Sequence, residues 1–439
     1  MTGAFEELTW RGLVANSTDP EALAAHLDAG PVTFYVGFDP TAPSLHIGHL
    51  VQLIVARRLQ RAGHRPLMLV GGCTGLIGDP RETSERVMNP ADVVAGWVDR
   101  IRDQVSRFVD VDGDNPARIV NNLDWAGELS AIDFLRDVGK HFPVNRMLAR
   151  DVVAKRLESG ISYTEFSYVL LQSYDYRELF RRYGCTLQFG GSDQWGNITA
   201  GVELVRRSDG ERVHALATPL ITKADGTKFS KSEGGAIWLD PELTSPYAFH
   251  QAFLNAEDSK VVEYLRVFTD RSDDEIAELE RATRDEPYRR LAQRALADDL
   301  TALVHSPEDA QAAARAAAAL FGRDDITDLP EQVLRGVFQE IAATPLPDSR
   351  ELPTVVDALA ISGVVASKSA ARRTLAEGGA YLNNTKVTDP DARLTEHDLV
   401  HGRYVLLRRG KRTVAGLVIG RGRGDSGLDT GSDPTGNGT

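Results

Sequence analysis

The chain has 439 residues, which at ~150 residues per domain predicts about three domains and excludes a single small binding module. Hydrophobic residues make up 42% of the chain and charged residues 26%, as in globular proteins, so the chain is not disordered throughout. The 50 Lys and Arg residues are outnumbered by 63 Asp and Glu residues. The resulting formal charge of -13 argues against nucleic-acid binding over the whole surface, so any such contact must be local.

Cysteine content and the first residues bear on the cellular compartment. Cys73 and Cys185 are too few for a disulfide framework and lack the paired spacing of a zinc site. The first residues, MTGAFEELTWRG, contain no apolar core of a signal peptide, and no later stretch has the ~18 apolar residues of a spanning helix. We therefore expect a cytoplasmic protein that makes no membrane contact.

The first half of the chain alternates between short apolar runs and helical patterns. The run TFYVGF from Thr33 precedes a helical pattern over 46–62, which Gly63 stops, and PLMLVGG follows as a second buried strand. Further strands are predicted at ARIVNNL near Ile119 and TLQFGG near Phe189. This order predicts an α/β fold with a mainly parallel sheet covered by helices on both faces, which binds ligands at the carboxyl ends of its strands.

The rest of the chain divides by pattern and composition. Helical periodicity runs through 246–323, and the Pro- and Asp-rich segment 324–352 is predicted to be a connector with room for one helix. Residues 353–420 form a third unit, and the Gly-, Ser- and Asp-rich tail 421–439 is predicted to be disordered. The α/β domain then comprises residues 1–245.

The stretch YVGFDPTAPSLHIGHL predicts an anion site. A strand ends near Asp39, and a helix begins near His46, where unpaired N–H groups and the helix dipole favour phosphate. His49 lies on the same face of the first turn as His46, and Gly48 between them lets a ligand approach the backbone. By itself, an H-x-x-H pair is more typical of ordinary surface histidines or half a metal site.

Two further stretches point to nucleotide chemistry. GTKFSKS, residues 226–232, carries two lysines three apart in a loop that could contact a polyphosphate, although such a run is usually only a basic surface loop. FGGSDQWGN ends a strand in Gly-Gly and then presents Asp193, which suits ribose hydroxyls but could equally cap a turn. The P-loop and the dinucleotide-binding GxGxxG fingerprint are both absent from the sequence.

Taken together, these stretches resemble the class I aminoacyl-tRNA synthetases. His46-Ile47-Gly48-His49 is similar to the HIGH signature, and Lys228-Phe229-Ser230-Lys231-Ser232 to the KMSKS loop, with Phe229 in place of the usual Met. The resemblance narrows to the bacterial tyrosyl-tRNA synthetases on GGCTGLIGDP, NNLDW, SYVLLQSYDY and GGSDQWGNITAG, and it runs from about Phe5 to Gly420. The stretch RETSER after Pro80 and the tail from Arg421 depart from it.

The resemblance implies a fold and a reaction. The fold is a Rossmann-like catalytic domain, an all-helical anticodon-binding domain over 246–323 and a small α+β RNA-binding module of the αL type. The reaction activates L-tyrosine with ATP to tyrosyl-adenylate and pyrophosphate, and then transfers tyrosine to the terminal ribose of tRNA(Tyr). Mg²⁺ accompanies ATP, held by phosphate oxygens and water because the sequence contains no dedicated carboxylate cage. A homodimer is also implied, with interface helices near 134–147.

The resemblance also assigns residues to the two substrates. The tyrosine site comprises Tyr35 and Asp175 at the phenol, Asp79, Tyr168 and Gln172 at the ammonium, Gln194 beside them, and Asn122 and Trp125 in the wall. The ATP site comprises Thr41 and His46 at the γ-phosphate, Lys228 and Lys231 at the pyrophosphate, His49 and Asp193 at the adenosine, and Gly37, Asp39, Gly48 and Gly191 around them. Without the resemblance, core packing would be the simpler explanation of Tyr168, but not of an aspartate on an apolar helix face.

The third unit is basic within an acidic chain. Residues 353–420 carry a net charge of +4, whereas residues 1–352 carry -16. Ser367 is predicted to cap a short helix on which Lys368, Arg372 and Arg373 form a basic face. Three basic residues on a helix usually form only a solvated face, but the segregated charge favours RNA binding, by shape and backbone contacts rather than base stacking.

Three other functions remain open at this stage. Tryptophanyl-tRNA synthetases share the fold and both signatures, but Tyr35 and Asp175 argue against tryptophan. Small adenylyltransferases also use HxGH, but they lack the helical and RNA-binding parts. A catalytically inactive RNA-binding homologue is opposed by the intact histidines and lysines of the two signatures.

Overall fold

The structure is a computed structural model that describes residues 3–80, 88–227, 229, 231–232, 235–322, 324–347, 351–410 and 413–420, with only the backbone described at 231–232. Lys228 and the tail 421–439 lie outside the described residues. None of the helices in the described part of the chain has the length and apolar character needed to cross a membrane.

Nineteen α-helices and thirteen strands are formed by the described residues. The helices are α1 Ala4–Trp10, α2 Pro20–Asp28, α3 Ile47–Arg61, α4 Thr74–Ile77, α5 Ala91–Val105, α6 Leu123–Ala126, α7 Ala131–Asp133, α8 Val144–Leu148, α9 Asp151–Arg156, α10 Tyr163–Tyr183, α11 Trp195–Asp209, α12 Pro246–Leu254, α13 Val261–Phe268, α14 Asp273–Asp285, α15 Leu291–Val304, α16 Pro307–Leu320, α17 Glu331–Glu340, α18 Val355–Ile361 and α19 Lys368–Ala376. The strands are β1 Asn16–Ser17, β2 Thr33–Phe38, β3 Arg65–Val70, β4 Arg118–Asn121, β5 Cys185–Gly191, β6 His214–Thr218, β7 Lys231–Ser232, β8 Gly235–Ala236, β9 Thr344–Leu346, β10 Ala380–Leu382, β11 Thr385–Val387, β12 Tyr404–Arg409 and β13 Thr413–Ile419.

The chain forms two compact units. The first unit comprises the chain up to Thr244 together with Phe253–Leu296, and the second comprises Ser245–Ala252 together with the chain from Ala297. The helical segment predicted over 246–323 therefore contributes helices to both units. The division into catalytic, anticodon-binding and RNA-binding domains stays a prediction.

The first unit is built on a six-stranded sheet in the order β1-β6-β5-β2-β3-β4. All neighbouring strands pair in parallel except β1, which is antiparallel to β6. The structure therefore has the mainly parallel α/β sheet that the sequence predicts. Strands β2, β3 and β5 are almost entirely buried, as expected for strands with helices on both faces.

Helix α10 forms much of the core beside this sheet. Its first turn is capped by Ser162, whose hydroxyl accepts from the Glu165 N–H, and it ends at Gly184 in the left-handed conformation, with φ of 63°. Tyr168 and Asp175 are buried on this helix at the same interval of seven residues that suggested a shared face.

Two buried arginines donate hydrogen bonds to backbone carbonyls at the carboxyl end of helix α13 in the first unit. Arg11 donates to the carbonyls of Arg266 and Thr269 at 3.1 and 2.9 Å, and Arg58 donates to the Thr269 carbonyl at 2.5 Å. Arg58 also lies 3.2 Å from a carboxylate oxygen of Asp270. Because Arg58 is on α3, the helix that carries the two signature histidines is tied to α13.

The second unit contains a five-stranded sheet in the order β11-β10-β12-β13-β9. Strand β12 alternates between two cores: Val405 and Leu407 pack with α18 and α19, whereas Tyr404 and Leu406 pack with α16 and α17. This sheet is therefore covered by helices on both faces. The two-sided burial explains the continuous apolar run YVLL in β12.

The segment 324–352 differs from the connector that the sequence predicts. It contains the one helix allowed for, α17, but that helix is packed, with Val333, Leu334 and Val337 buried in the core beside β12. Strand β9 in the same segment pairs in parallel with β13. The Pro and Asp content indicated a linker, but the apolar period of EQVLRGVFQE outweighs it, so this part belongs to the second unit's core.

Candidate active site

A cavity of about 730 Å³ opens at the carboxyl ends of β2 and β5 in the first unit. Its volume is typical of a site for small molecules and nucleotides. Every predicted tyrosine- or ATP-site residue whose side chain is described, apart from the wall residues Asn122 and Trp125, lines it: Tyr35, Gly37, Asp39, Thr41, His46, Gly48, His49, Asp79, Tyr168, Gln172, Asp175, Gly191, Asp193 and Gln194. The fold thus brings together residues from five separate stretches of sequence.

Asp175 is buried at the inner end of the cavity and fixed by two donors. Asn122 Nδ2 donates to its Oδ2 at 3.0 Å, and Trp125 Nε1 donates to its Oδ1 at 2.8 Å. Burial raises the pKa of Asp175 to about 7, against the lowering effect of these two hydrogen bonds. The two residues expected in the wall therefore orient this carboxylate, and each oxygen retains a lone pair for another donor.

Tyr35 shares this end of the cavity. It is 2% exposed, and its ring packs edge-on against Tyr176 with centroids 5.3 Å apart. Its hydroxyl has no hydrogen-bond partner among the described residues, and burial raises its pKa well above the usual value. A buried hydroxyl without a partner costs free energy, so this end of the cavity fits a ligand with a polar group.

The middle of the cavity contains two carboxylates with different partners. Asp79 accepts from Gln194 Nε2 at 2.8 Å and from Asn197 Nδ2 at 3.2 Å. Asp39, expected among the ATP-site residues, instead accepts from Thr74 and from the hydroxyl of Tyr168, at 2.6 and 2.7 Å. Tyr168, expected beside Asp79, is therefore hydrogen-bonded to the other carboxylate. Burial and Asp39 raise the Tyr168 pKa well above its usual value, so it remains a neutral donor.

The two signature histidines stack at the start of α3, with ring centroids 4.0 Å apart. His46 Nδ1 accepts from the Gly48 N–H at 3.0 Å, and His49 Nδ1 accepts from the His46 N–H at 3.2 Å. Because each Nδ1 is an acceptor, the neutral rings carry their proton on Nε2. Burial, together with His46, lowers the pKa of His49 well below its usual value, so His49 is neutral at pH 7.

The expectation of unpaired N–H groups at this helix start is wrong. The remaining two groups are also satisfied: Ile47 N–H donates to Ile237 O at 3.0 Å, and His49 N–H donates to His46 O at 2.8 Å. The two histidine rings compete with an anion for the N–H groups at the helix N-terminus, because a capping side chain accepts from the same N–H groups that would bind the anion. The backbone N–H groups of this helix start are thus already used, and the ring nitrogens that do not accept these bonds are the two imidazole Nε2 atoms.

The lysine signature can be described only in part. Lys228 and the side chain of Lys231 lie outside the described residues, so their expected roles stay predictions. Phe229 between them lines the cavity, 6% exposed, with its ring 4.8 Å from that of Tyr264 and 5.5 Å from that of Phe253. An aromatic residue at the family's Met position is therefore accommodated by aromatic packing.

Several cavity residues were missed by sequence reasoning. Thr74, which lines the cavity, lies in the quoted stretch GGCTGLIGDP, and Asn197, which donates to the cavity residue Asp79, lies in GGSDQWGNITAG, so the resemblance could have indicated both. Gln52 and Gln188 line the cavity with carboxamide oxygens that have no partner among the described residues. Gln188 is a polar residue in a buried strand, and this could have marked it as a cavity residue. Gln52 lies on helix α3, where a glutamine gives no such indication.

The predicted RNA-binding residues lie elsewhere, in the second unit. Ser367 caps α19 as expected, and its hydroxyl accepts from the Ala370 N–H. Arg372 and Arg373 are exposed, whereas the Lys368 ammonium forms a 2.6 Å ion pair with Asp357. One of the three predicted cations is therefore partly neutralised within the protein.

No group of three or more His, Cys, Asp or Glu side chains suited to holding a metal ion occurs in the part of the chain that the structure describes. The cavity's polar groups are carboxamides, hydroxyls and the two imidazoles, together with three buried or half-buried carboxylates, which act as acceptors. These groups suit hydrogen bonding to a polar organic ligand and to phosphate oxygens.

The sequence matches two family models. Residues 27–322 match the tRNA synthetases class I (W and Y), and residues 334–415 match the tyrosine–tRNA ligase SYY-like C-terminal domain. The second match begins within the segment that was expected to be a connector, as does the second unit's packed helix α17.

Named relatives and a solved structure agree with these models. The chain is 64% identical to the tyrosine–tRNA ligase of Cutibacterium acnes, over 95% of this chain and 100% of that protein. It is 60% identical to that of Kineococcus radiotolerans, over 95% and 99%. A truncated mitochondrial tyrosyl-tRNA synthetase of Aspergillus nidulans matches in structure with a TM-score of 0.67 at 29% identity, over 73% of this chain and 95% of that one. The chain therefore belongs to the class I tRNA synthetases of the W and Y type and, within them, to the tyrosine–tRNA ligases.

Proposed function

We propose that the cavity of the first unit binds L-tyrosine at its inner end and ATP at its mouth. Family membership makes the chain an aminoacyl-tRNA ligase that joins tyrosine to tRNA. The role of each cavity residue in that reaction is what we assign here. The observation that carries the assignment is the buried hydroxyl of Tyr35, which has no partner among the described residues and shares the inner end of the cavity with the fixed carboxylate of Asp175.

The substrate phenol needs one donor and one acceptor. Tyr35 donates its hydroxyl to the phenol oxygen, and Asp175 accepts the phenol proton on a free lone pair. Phenylalanine would leave the Tyr35 hydroxyl buried without a partner and would offer no donor to Asp175, which costs more than the apolar contact that it gains. Selection between tyrosine and phenylalanine therefore needs no additional pocket.

The substrate ammonium lies among groups that carry negative charge or acceptor oxygens. Asp79 and the carboxamide oxygens of Gln172 and Gln194 are the acceptors assigned to it, and Tyr168 lies beside them. The hydrogen bond from Tyr168 to Asp39 extends this set, because it brings a second carboxylate to the same part of the cavity. Two carboxylates favour an ammonium ion over a neutral amine.

ATP binds across the start of α3. The Nε2–H groups of His46 and His49 donate to phosphate and to the nucleoside, and Thr41 lies at the γ-phosphate end. Asp193, exposed at the mouth, accepts from ribose hydroxyls. Gly37, Gly48 and Gly191 allow the nucleotide to approach the backbone closely.

The chemistry is an in-line attack of the tyrosine carboxylate on the ATP α-phosphate, with pyrophosphate leaving. A carboxylate is already a nucleophile at neutral pH, so no general base is needed and catalysis comes from positioning and charge stabilisation. Lys228 and Lys231 stabilise the leaving pyrophosphate. Mg²⁺ enters with ATP as part of the substrate, coordinated by phosphate oxygens and water. The adenylate then passes its tyrosine to the terminal ribose of tRNA(Tyr).

The roles of the lysines can be tested without tRNA. We expect Lys231→Ala to lower the rate of adenylate formation far more than it weakens tyrosine binding, because the interaction belongs to the transition state. Equal losses in both quantities would argue against that role.

The second unit contributes the RNA-binding surface. Exposed Arg372 and Arg373 on α19, supported by Lys368, contact tRNA phosphates, in a module of the αL type. The rest of the tRNA contact belongs to the helices of 246–323. The whole reaction is expected in the cytoplasm.

The functional form is a homodimer. The segment from 134 to 147, expected to be interfacial, borders an apolar groove of about 160 Å³ in the first unit. Leu135, Val144 and Tyr163 around it are 51%, 61% and 65% exposed, which is unusual for large apolar side chains that have no partner. A Val144→Glu variant should sediment as a monomer if a second copy covers this groove.

Amino-acid-dependent ATP/pyrophosphate exchange, measured across the twenty amino acids, tests the central assignment. Exchange that depends on tyrosine alone is expected. Exchange with tryptophan would overturn the roles of Tyr35 and Asp175, and the absence of exchange would favour an inactive RNA-binding homologue.

A further inference from the structure

Helix α10 carries two further charged residues beyond Asp175. Glu178 and Arg182 follow it at three and seven positions, an interval that places all three residues on the same face of the helix. Arg182 Nε donates to Glu178 Oε2 at 3.2 Å. The Arg182 side chain is 44% exposed, and an ion pair of this kind contributes little to stability. The place of the guanidinium is therefore of more interest than the ion pair itself.

The guanidinium of Arg182 lies over the indole of Trp125, with Cζ 5.6 Å from the ring centroid. A cation over an aromatic face is attracted by the ring electrons. Trp125 is 3% exposed, and its Nε1–H donates to Oδ1 of Asp175 at 2.8 Å. The half-exposed cation is thus connected to the buried carboxylate through a single aromatic ring.

We propose that Arg182 is a positioning residue for tyrosine recognition, which acts through the indole of Trp125 on the carboxylate of Asp175. The guanidinium restrains the ring, and it polarises the indole so that the N–H becomes a stronger donor. This inference rests on the proposed function of Asp175 at the substrate phenol. Arg182 itself does not line the cavity.

The carboxylate of Asp175 needs this support because its surroundings disfavour the ionised form. Burial raises its pKa, and the charges of Asp39 and Glu178 raise it further, whereas the hydrogen bonds from Asn122 and Trp125 lower it. An acceptor for the phenol proton must be ionised, so a stronger donor at the carboxylate favours tyrosine binding. The bond from Trp125 is the one that the cation over the indole reinforces.

Arg182→Gln should raise the tyrosine dissociation constant by about two- to fivefold, because a cation–π contact at an exposed site is weak. The ATP dissociation constant should not change. Arg182→Lys keeps a cation near the ring and should restore most of the tyrosine affinity. Arg181→Gln is the matched control, since Arg181 is 43% exposed and lies 3.9 Å from Glu178 but makes its closest ion pair with Asp209. Tyrosine affinity should not change in that variant.

A substitution at the other end of the ion pair separates the cation from the pair. Glu178→Gln retains an oxygen that can accept from Arg182 but removes a negative charge, so tyrosine affinity should stay the same or increase. A purely structural ion pair predicts instead that both substitutions weaken binding. In Arg182→Gln, Glu178 remains within 4 Å of Arg177 and Arg181, so the expected loss does not come from an unpaired carboxylate.

The decisive measurement is a double-mutant cycle of Arg182→Gln with Trp125→Phe, which keeps a ring but removes the N–H. If Arg182 acts through that N–H, Arg182→Gln will raise the tyrosine dissociation constant in the unchanged chain but not in the Trp125→Phe background. Equal losses in the two backgrounds would overturn the inference, as would unchanged affinity in Arg182→Gln alone. Should Trp125→Phe unfold, the opposite effects expected of Glu178→Gln and Arg182→Gln decide the question. Unchanged tyrosine affinity in Asp175→Asn would instead contradict the proposed function of Asp175.

Discussion

The indole N–H of Trp125 donates a 2.8 Å hydrogen bond to Oδ1 of Asp175, at the inner end of the cavity. With the bond from Asn122 to Oδ2, it fixes the rotation of the carboxylate about its Cβ–Cγ bond. It also stabilises the ionised form of a buried acid, because donors to a carboxylate lower its pKa. Under the proposed role of Asp175 at the tyrosine phenol, Trp125 is therefore coupled to tyrosine recognition without lining the cavity.

Trp125→Phe should weaken tyrosine binding while ATP binding is preserved. Loss of one hydrogen bond to a charged group corresponds to about 1.5–3 kcal/mol, so the tyrosine dissociation constant should rise by about tenfold or more. Equilibrium dialysis with labelled tyrosine measures it directly. Trp97→Phe, which makes the same change on α5, should leave the dissociation constant unchanged, and an equally unchanged value for Trp125→Phe would contradict the coupling.

The raised pKa of Asp175 predicts a pH dependence of stability. Burial raises this pKa from its ordinary value of 3.8 to about 7, so the folded chain holds a proton that the unfolded chain releases between these values. The stabilisation is fully present below about pH 4 and is lost as the pH rises through about 7. Since each pKa unit is worth about 1.4 kcal/mol, the loss between pH 5 and pH 8 should be about 3 kcal/mol.

The measurement compares the unchanged chain with Asp175→Asn in urea at the two pH values. All five tryptophans precede Thr244, so their fluorescence reports the first unit alone. The difference in free energy of unfolding between the two proteins should shift by about 3 kcal/mol in favour of Asp175→Asn at the higher pH. A difference that is the same at pH 5 and pH 8 would mean that Asp175 is ionised throughout.

Much of the cavity could be predicted from the sequence, but its internal hydrogen bonding could not. The stretches that carry Tyr35, His46 and Asp175 are recognisable by resemblance, and a parallel sheet brings the carboxyl ends of its strands together. The pairing of Tyr168 with Asp39 depends on side-chain rotamers across elements 129 residues apart, which no local pattern encodes. The capping of α3 by its own histidines was missed because histidine is not a preferred N-cap residue.

Phe229 provides a test of the departure from the family's lysine signature. Its ring packs against Tyr264 and Phe253, so Phe229→Ala should cost about 3–5 kcal/mol in stability of the first unit. It should also slow pyrophosphate exchange, because the residue lies between the two lysines. Phe229→Met restores the family residue and fills similar volume, so its exchange rate should stay close to that of the unchanged chain. A Phe229→Met variant as slow as Phe229→Ala would show that the aromatic ring itself is required.

The sequence predicts the fold best where apolar residues form a clear pattern, and least well where the amino-acid composition indicates a linker although the segment is packed. Strands β2, β3 and β5 were anticipated because runs such as TFYVGF lie between turn residues. Helix α17 was expected, but its packing was not, because nearby Pro and Asp residues resemble a linker while its buried face is recognised only beside β12. The residue at which one compact unit ends and the next begins depends on which helix and sheet faces pack together. The pattern of apolar residues along the sequence does not specify that packing.

Arg58 should be more important to stability than the nearby Arg61. The Arg58 guanidinium is 8% exposed and contacts Glu7, Asp270 and the Thr269 carbonyl at once, which a lysine ammonium cannot reproduce. Arg58→Lys should therefore lower the free energy of unfolding of the first unit by about 1.5–3 kcal/mol. Arg61, 53% exposed with a bond to Asp270, is the matched control, and Arg61→Lys should change little. Equal effects in urea would contradict a fastening role for Arg58.

Removal of residues 353–439 should separate the two reaction steps. Every cavity residue precedes Thr244, so a chain ending at residue 352 should retain tyrosine-dependent pyrophosphate exchange and lose tRNA charging.

The same truncation should also expose apolar surface, because it removes Val400, Tyr404 and Leu406 from the core shared with α16 and α17. Binding of the dye ANS should rise in this chain but not in a control that ends at residue 420 and lacks only the tail. Unchanged dye binding would contradict the shared core, and loss of exchange would contradict the independence of the first unit. Helix α12 begins in the second unit, so the shortened chain should also be less stable than the full chain. We expect this loss of stability to leave pyrophosphate exchange intact.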